Sequence, residues 1–157
     1  MRKSKTVQTY AAFILSALLV GLISVYLASS GMAAYESMMK PPLTPPGWAF
    51  TAVWLLLYIL MGVGAAMVCL ADSPGTKGAL RLYVVQLFFN FMWSIIFFTL
   101  EWRLIALVWL LVLWVLAAMM ARSFCEINKT AGRLQIPYLV WLTFTAYLNF
   151  AAFLLNR

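Results

Sequence analysis

The residues of this chain best able to do chemistry are aromatic and amide side chains that recur at helical spacing inside apolar segments. In one segment Gln86, Asn90 and Trp93 are four and three residues apart, which places them on one face of a helix. An amide that faced lipid would lack a hydrogen-bond partner, so this face should turn inward. Aromatic faces with a few amides suit the binding of a flat, amphipathic ligand.

Two further apolar segments repeat this pattern. Trp54 and Tyr58 are four residues apart and share a helical face. Near the carboxyl end one broad helical stripe combines aromatic and polar residues. Its members are Tyr138, Trp141, Thr145 and Asn149. Three such faces predict a ligand pocket between helices.

A structural explanation of the same residues remains open. Intramembrane amides often hold helices together, at about 0.6 kcal/mol per contact. Tryptophan and tyrosine near helix ends often form the interfacial belt, which suits Trp48, Trp102, Tyr10 and Tyr138. Tryptophans a turn or more inside a helix fit that explanation less well.

The composition excludes several classes of site. Hydrophobic residues make up 66% of the 157 residues and charged residues 10%, against about 25% charged in soluble domains. The chain has no histidine, and its four acids lie at predicted helix ends or in loops: Glu36, Asp72, Glu101 and Glu126. Hydrolase, metal and proton-relay sites are therefore not expected, and a histidine-ligated haem is excluded. No metal site and no required cofactor are predicted.

Five apolar stretches fill almost the whole chain and predict an all-α membrane protein, a single domain (1–157) formed by a bundle of five transmembrane helices. The clearest stretch is Leu104–Ala121, which holds no charge, proline or glycine. At about 1.5 Å per residue it nearly crosses the ~30 Å hydrocarbon core. The predicted helices are 7–29, 48–71, 79–100, 104–124 and 134–156, with a proline-rich lid loop at 30–46.

The distribution of basic residues predicts the orientation. Eight lie at the amino terminus and in the second and fourth loops: Arg2, Lys3, Lys5, Lys77, Arg81, Arg122, Lys129 and Arg133. Three lie on the other side: Lys40, Arg103 and Arg157. The positive-inside rule then places the amino terminus inside and the carboxyl terminus outside. This rule explains the net charge of +7, so no nucleic-acid partner is expected.

Small residues at a spacing of four permit close helix contact. The pairs are Gly62 with Ala66 and Ala117 with Ala121. They indicate tight packing within the bundle or a homodimer, without deciding between the two. The amino terminus lacks an amphipathic transit segment, which favours a bacterial inner membrane.

Ordered blocks of residues carry a family resemblance over most of the chain. They are Lys40-Pro41-Pro42-x-x-Pro45-Pro46, Val53-Trp54-x-x-x-Tyr58-x-x-Met61-Gly62, Gln86-Leu87-x-x-Asn90-x-x-Trp93 and Pro137-Tyr138-Leu139-x-Trp141-x-x-Phe144. With these blocks the chain resembles the tryptophan-rich sensory protein family, also called the translocator protein or peripheral-type benzodiazepine receptor family.

The resemblance implies a five-helix membrane protein, usually dimeric, that binds protoporphyrin IX and related tetrapyrroles. Some members also bind cholesterol or synthetic isoquinoline and benzodiazepine ligands. The positions that match the family pocket are Trp54, Asn90, Trp93 and Trp141, with Pro45 and Pro46 in the lid. Tyr58, Thr145 and Asn149 share the predicted faces and complete the candidate ligand-binding set.

The chain departs from the family pattern at three positions. Leu43 stands where the family commonly has tryptophan, and Thr145 where a small alanine is usual. Phe150 replaces the tyrosine of the sterol-recognition pattern, so strong sterol binding is not expected.

The resemblance implies a receptor or carrier that acts in porphyrin transport or stress sensing. Some family members photodegrade porphyrin, so the alternative is a light- and oxygen-dependent porphyrin-degrading enzyme that uses Trp54 and Trp141. A second alternative is a small-molecule exporter. Without an intramembrane acid for proton coupling, the exporter is the least favoured.

Overall fold

The computed structural model describes residues 2–157, and their side chains from residue 4 onwards. The side chains of Arg2 and Lys3, which enter the charge count, lie outside this part. The described chain forms seven α-helices. They are α1 (Arg2–Ala28), α2 (Met32–Ser37), α3 (Gly47–Ala71), α4 (Thr76–Ser94), α5 (Arg103–Ile127), α6 (Lys129–Arg133) and α7 (Ile136–Leu155).

Five helical segments of this chain are long and apolar enough to cross a membrane, which confirms the predicted five-helix bundle. They begin at Ser4, Gly47, Thr76, Arg103 and Lys129. Helix α1 packs along α3, and α5 lies between α4 and α7. Within residues 2–157 there is no β-strand. The protein is therefore an all-α integral membrane protein.

The first helix and the first loop differ from their predicted bounds of 7–29 and 30–46. Helix α1 begins at Arg2, because lysine and arginine are good helix formers. Their charge limits the length of the membrane span, but it does not end the helix. After it, Ser29–Gly31 forms a 3₁₀ turn and α2 continues to Ser37. The non-helical part is therefore only 38–46, which we call the proline loop.

Other helix ends also differ from the prediction. The predicted helix 79–100 ends in a π-helical segment, Ile95–Thr99. The predicted fourth loop contains α6, whose N-cap Asn128 accepts hydrogen bonds from the amides of Thr130 and Ala131. A local cap of this kind makes a short helix in a segment whose hydropathy alone reads as loop. Pro137 lies in the first turn of α7, where its missing N–H costs little.

The small residues are used inside the bundle. A Cβ at Gly62 would lie 2.6 Å from the Cα of Ile14, so α1 and α3 meet there with almost no space between their backbones. Ala66, Ala117 and Ala121 are also buried within the chain. These residues explain close packing of the protomer, and the homodimer stays a prediction.

The proline loop is fastened to the end of α7. The Asn156 side chain accepts a hydrogen bond from the Met39 amide and donates one to its carbonyl, each at 2.9 Å. The Tyr147 hydroxyl donates to the carbonyl of Pro42 at 3.0 Å. Leu43 adopts a φ of 67° and is 79% exposed at the loop tip. The loop is thus held as a fixed cover at one end of the bundle.

Candidate ligand-binding site

A large cavity lies beneath the proline loop, between α1, α3 and the end of α4. Its volume is about 780 Å³, within the roughly 300–1,000 Å³ typical of small-molecule sites. We call it the main cavity. Its lining comes from one side of α1, from α2, from the proline loop, from the first half of α3 and from the end of α4 with the π-helical segment. The residues are Gly21, Leu22, Ser24, Val25, Ala28, Met32, Tyr35, Glu36, Lys40, Pro41, Leu43, Thr44, Pro45, Pro46, Gly47, Phe50, Thr51, Trp54, Leu55, Tyr58, Trp93, Ser94 and Phe98.

Aromatic rings form the inner wall of the main cavity. The ring of Trp54 stacks on that of Trp93, with centroids 6.4 Å apart. It also lies 5.8 Å from the ring of Tyr58 and 6.3 Å from that of Phe50. Because Trp54 and Tyr58 are one helical turn apart, α3 presents both to the same space. The wall offers a broad π surface to a flat ligand.

Five of the nine predicted ligand-binding residues line the main cavity. Two lie in its cover and three in its aromatic wall: Pro45, Pro46, Trp54, Tyr58 and Trp93. The four that do not line it are Asn90, Trp141, Thr145 and Asn149. Contact of any of the nine with a ligand stays a prediction.

Asn90 joins helices beneath the main cavity. Its carbonyl oxygen accepts a hydrogen bond from the Tyr58 hydroxyl at 2.6 Å, and its Nδ2 donates to the Tyr138 hydroxyl at 2.9 Å. That hydroxyl donates in turn to Oε1 of Gln86 at 2.8 Å. We call these four residues the hydroxyl–amide chain. Asn90 is 3% exposed and Gln86 0%, so the amides bond α3, α4 and α7 together.

Asn149 and Thr145 lie at a second, smaller cavity of about 30 Å³, the inner cavity. The indole nitrogen of Trp93 donates to Oδ1 of Asn149 at 3.1 Å, and Nδ2 of Asn149 donates to the carbonyl of Arg103 at 2.8 Å. The Thr145 hydroxyl donates to the carbonyl of Trp141 at 2.8 Å. The inner cavity is large enough for a water molecule and too small for a macrocycle.

Trp141 is separated from the main cavity by Phe50. The two rings lie 5.8 Å apart, and Phe50 contacts both cavities. The indole nitrogen of Trp141 is buried and has no hydrogen-bond partner among the described residues. Trp54 and Trp141 are therefore not equivalent, because only Trp54 faces the main cavity.

The wall that α1 contributes was not foreseen from sequence. Gly21, Ser24, Val25 and Ala28 line the cavity from this helix. They fall on one helical face by their spacing of three and four, but they are small or aliphatic, so no polar or aromatic signal marks them. The sequence signal that could have indicated this wall was the stripe of small residues along one face of α1.

Contacts between hydroxyl groups hold α1 against the end of α4. Ser24 hydrogen-bonds Ser94, and the Thr99 hydroxyl donates to the carbonyl of Leu27 at 3.1 Å. Gly31 lies directly against the carbonyl of Phe98 in the π-helical segment, where any Cβ would clash. π-Helical turns occur frequently at functional sites, and this one carries Phe98 to the cavity wall.

The site offers aromatic and apolar surface, with charged side chains only at its loop end. Among the described residues there is no group of three or more histidine, cysteine or acidic side chains that could hold a metal. The fold and the site define a class: a small polytopic membrane protein with a covered, aromatic-walled cavity.

Comparison with known proteins gives the family. The family model described as "TspO/MBR family" matches residues 12–155, and the chain belongs to that family. It is 33% identical to the tryptophan-rich protein TspO of Chlorobaculum tepidum, over 98% of this chain and 99% of the relative. It is 38% identical to the tryptophan-rich sensory protein of Cereibacter sphaeroides, over 78% and 76%. It is 36% identical to the translocator protein of Homo sapiens, over 81% and 77%.

Proposed function

We propose that this protein is a membrane receptor or carrier that binds protoporphyrin IX and related tetrapyrroles in the main cavity. One observation carries the proposal. A cavity of about 780 Å³ lies under a fixed proline loop, and its inner wall is built from Trp54, Tyr58 and Trp93. A flat macrocycle gains both from apolar burial and from contact with aromatic faces.

The names of the relatives support a role in sensing or transport. One relative is a tryptophan-rich sensory protein and another a translocator protein. A carrier and a sensor both need a ligand site. The main cavity between α1, α3 and the proline loop supplies one.

Binding is favoured over porphyrin degradation by the position of the tryptophans. The degrading alternative uses Trp54 and Trp141, and only Trp54 lines the main cavity. The exporter alternative lacks an intramembrane acid among the described residues, since Glu36, Asp72, Glu101 and Glu126 lie in or beside the connections between spans. Bound tetrapyrrole is a ligand in this proposal, and no cofactor is required.

The proposed arrangement in the membrane follows the charge count. Lys40, Arg103 and Arg157 lie at the end of the bundle that carries the proline loop, and the other eight basic residues belong to the opposite end. We place the proline loop and the adjoining end of the main cavity on the outer face of a bacterial inner membrane. A homodimer is part of the proposal by analogy with the family.

A titration of the detergent-purified protein with protoporphyrin IX tests the function. Saturable micromolar binding, followed by porphyrin absorbance, is expected for the wild type. Trp54→Leu should weaken binding about tenfold, because it removes a stacking face worth about 0.5–1.5 kcal/mol together with buried area. Trp114→Leu is the matched control, since Trp114 is 39% exposed and lies outside the main cavity.

Two results would contradict the proposal. Absence of saturation in the folded wild type would remove porphyrin binding altogether. Equal weakening by Trp54→Leu and Trp114→Leu would show that porphyrin partitions into the micelle or binds the outer surface. Circular dichroism of each variant confirms that helicity is retained.

A further inference from the structure

We propose that Lys40 is the anion-binding residue of the main cavity, and that the cavity selects amphipathic ligands with a carboxylate at one end. This inference rests on the proposed function and specifies the chemical class of its ligand. Among the described residues that line the main cavity, Glu36 and Lys40 alone carry charged side chains. Both lie at the loop end.

The hydroxyl groups at the floor of the main cavity are already hydrogen-bonded within the protein. The Tyr58 hydroxyl donates to Asn90, and Ser24 and Ser94 hydrogen-bond each other. The remaining donors of the α3 wall, the Thr51 hydroxyl and the Trp54 indole N–H, carry no charge. From Gly47 at the loop to Tyr58 at the floor, α3 rises about 16 Å. A carboxylate at that depth would lose its hydration with no cation to compensate for it. The apolar part of a ligand must therefore enter first, leaving its charged end beside the proline loop.

Lys40 is exposed, but the backbone on either side of it is held at that end of the cavity. Its neighbour Met39 is fastened through both backbone groups to Asn156, and the next residue, Pro41, is buried. The Lys40 ammonium lies 5.3 Å from the ring centroid of Tyr35, which also lines the cavity. A cation held over an aromatic face beside an opening is positioned to meet a carboxylate.

Glu36 does not neutralise this cation. Within the described residues the ion pairs are Arg103 with Glu101 and Arg122 with Glu126. Glu36 is exposed in the last turn of α2, and nothing comparable to the Met39 contact fixes it. Because a pre-positioned charge loses less freedom on binding, Lys40 should decide which sign of ligand charge is preferred.

The test compares protoporphyrin IX, which has two carboxylates, with its uncharged dimethyl ester, in a non-ionic detergent. Both ligands are titrated into wild type, Lys40→Gln, Lys40→Arg and the control Arg157→Gln, which removes a cation outside the main cavity. We expect Lys40→Gln to weaken binding of the diacid about three- to tenfold, as for one partly exposed charge pair. Binding of the diester should stay unchanged.

Three further results are expected. Lys40→Arg should retain the preference for the diacid, because the charge is kept. Arg157→Gln should bind both ligands like the wild type. Glu36→Gln should strengthen binding of the diacid by about threefold or less, since it removes a repelling charge at the exposed end.

The outcomes distinguish a failure of the Lys40 inference from a failure of the proposed function. If the wild type binds neither ligand, the proposed function fails and the inference fails with it. If the wild type binds both and Lys40→Gln leaves the diacid unaffected, the inference alone is overturned. Equal weakening of diacid and diester by Lys40→Gln also overturns it, because Lys40 would then only support the loop.

Discussion

The main cavity and the hydroxyl–amide chain are built from the same kinds of residue and adjoin each other along α3. Trp54 faces empty space in the cavity, while the hydroxyl of Tyr58, one turn further along, is bonded to Asn90. On α4 the same division separates Trp93, at the cavity, from Asn90, between two tyrosines. Residues on one helical face thus lie in two environments, the wall of a cavity and a contact between helices.

The difference lies in whether the polar groups are already satisfied. In the hydroxyl–amide chain each member is bonded to the next at 2.6 to 2.9 Å. A ligand could compete for these groups only by breaking helix contacts. In the main cavity the wall is aromatic, and its charged groups lie at the end next to the proline loop. Loss of a chain residue should therefore affect stability, and loss of a wall residue should affect affinity.

The largest effect is expected from Asn90→Leu. This change removes two buried hydrogen bonds and leaves the Tyr58 hydroxyl without its acceptor. The free energy of unfolding should fall by about 2 kcal/mol, since each orphaned buried group costs about 1–3 kcal/mol. Porphyrin affinity of the folded fraction should stay within about twofold. Reversible denaturation in detergent and a porphyrin titration measure the two quantities. A large loss of affinity at unchanged stability would reverse the assignment of Asn90.

An intermediate effect is expected from Gly21→Ala. It should disturb both the main cavity and the hydroxyl–amide chain, because Tyr58 belongs to both. A Cβ at Gly21 would lie 2.5 Å from the Tyr58 ring, so the ring must shift. Overpacking costs about 1–3 kcal/mol, and the helical gain of alanine over glycine returns about 1 kcal/mol. The free energy of unfolding should therefore fall by about 1 kcal/mol, and porphyrin binding should weaken in the same variant.

Gly78→Ala is the matched control for Gly21→Ala, because a Cβ there would meet nothing within 4 Å. It should leave affinity unchanged and raise stability by up to about 1 kcal/mol. If Gly21→Ala lowered stability without affecting porphyrin, Tyr58 would not belong to the binding wall.

The smallest effect is expected from Tyr58→Phe, which divides the two roles within one residue. The ring that lines the cavity is kept, and the bond to Asn90 is lost. Stability should fall by about 0.6 kcal/mol, the average for a hydrogen bond between membrane helices. Porphyrin affinity should be unchanged within error. A clear drop in affinity would show that the hydroxyl itself contacts the ligand.

The five membrane spans could be predicted from sequence because each is a local property. About 20 consecutive apolar residues are needed to cross the hydrocarbon core, and a run such as Leu104–Ala121 nearly meets that need by itself. The helix ends were less well predicted. Hydropathy predicts the apolar part of each span, whereas the short helices α2 and α6 depend on helix propensity and, for α6, on the Asn128 cap.

The candidate site could be predicted in part. Period and residue type correctly turned Gln86, Asn90 and Trp93 inward, and all three are buried. They could not show that Trp93 meets the main cavity while Asn90 is enclosed between Tyr58 and Tyr138. Nor could they indicate that α1 forms a wall, since Gly21 and Ala28 have no chemistry of their own.

The sequence by itself determined the class of this protein: five apolar spans, a proline-rich loop, inward aromatic and amide faces, and membership of the TspO/MBR family. Only the tertiary structure decided which of those faces enclose a cavity and which bond to one another. The physical reason is that helical period sets the direction of a side chain about its own axis. What the side chain meets depends on the distance and rotation of the neighbouring helices, which packing over the whole bundle decides.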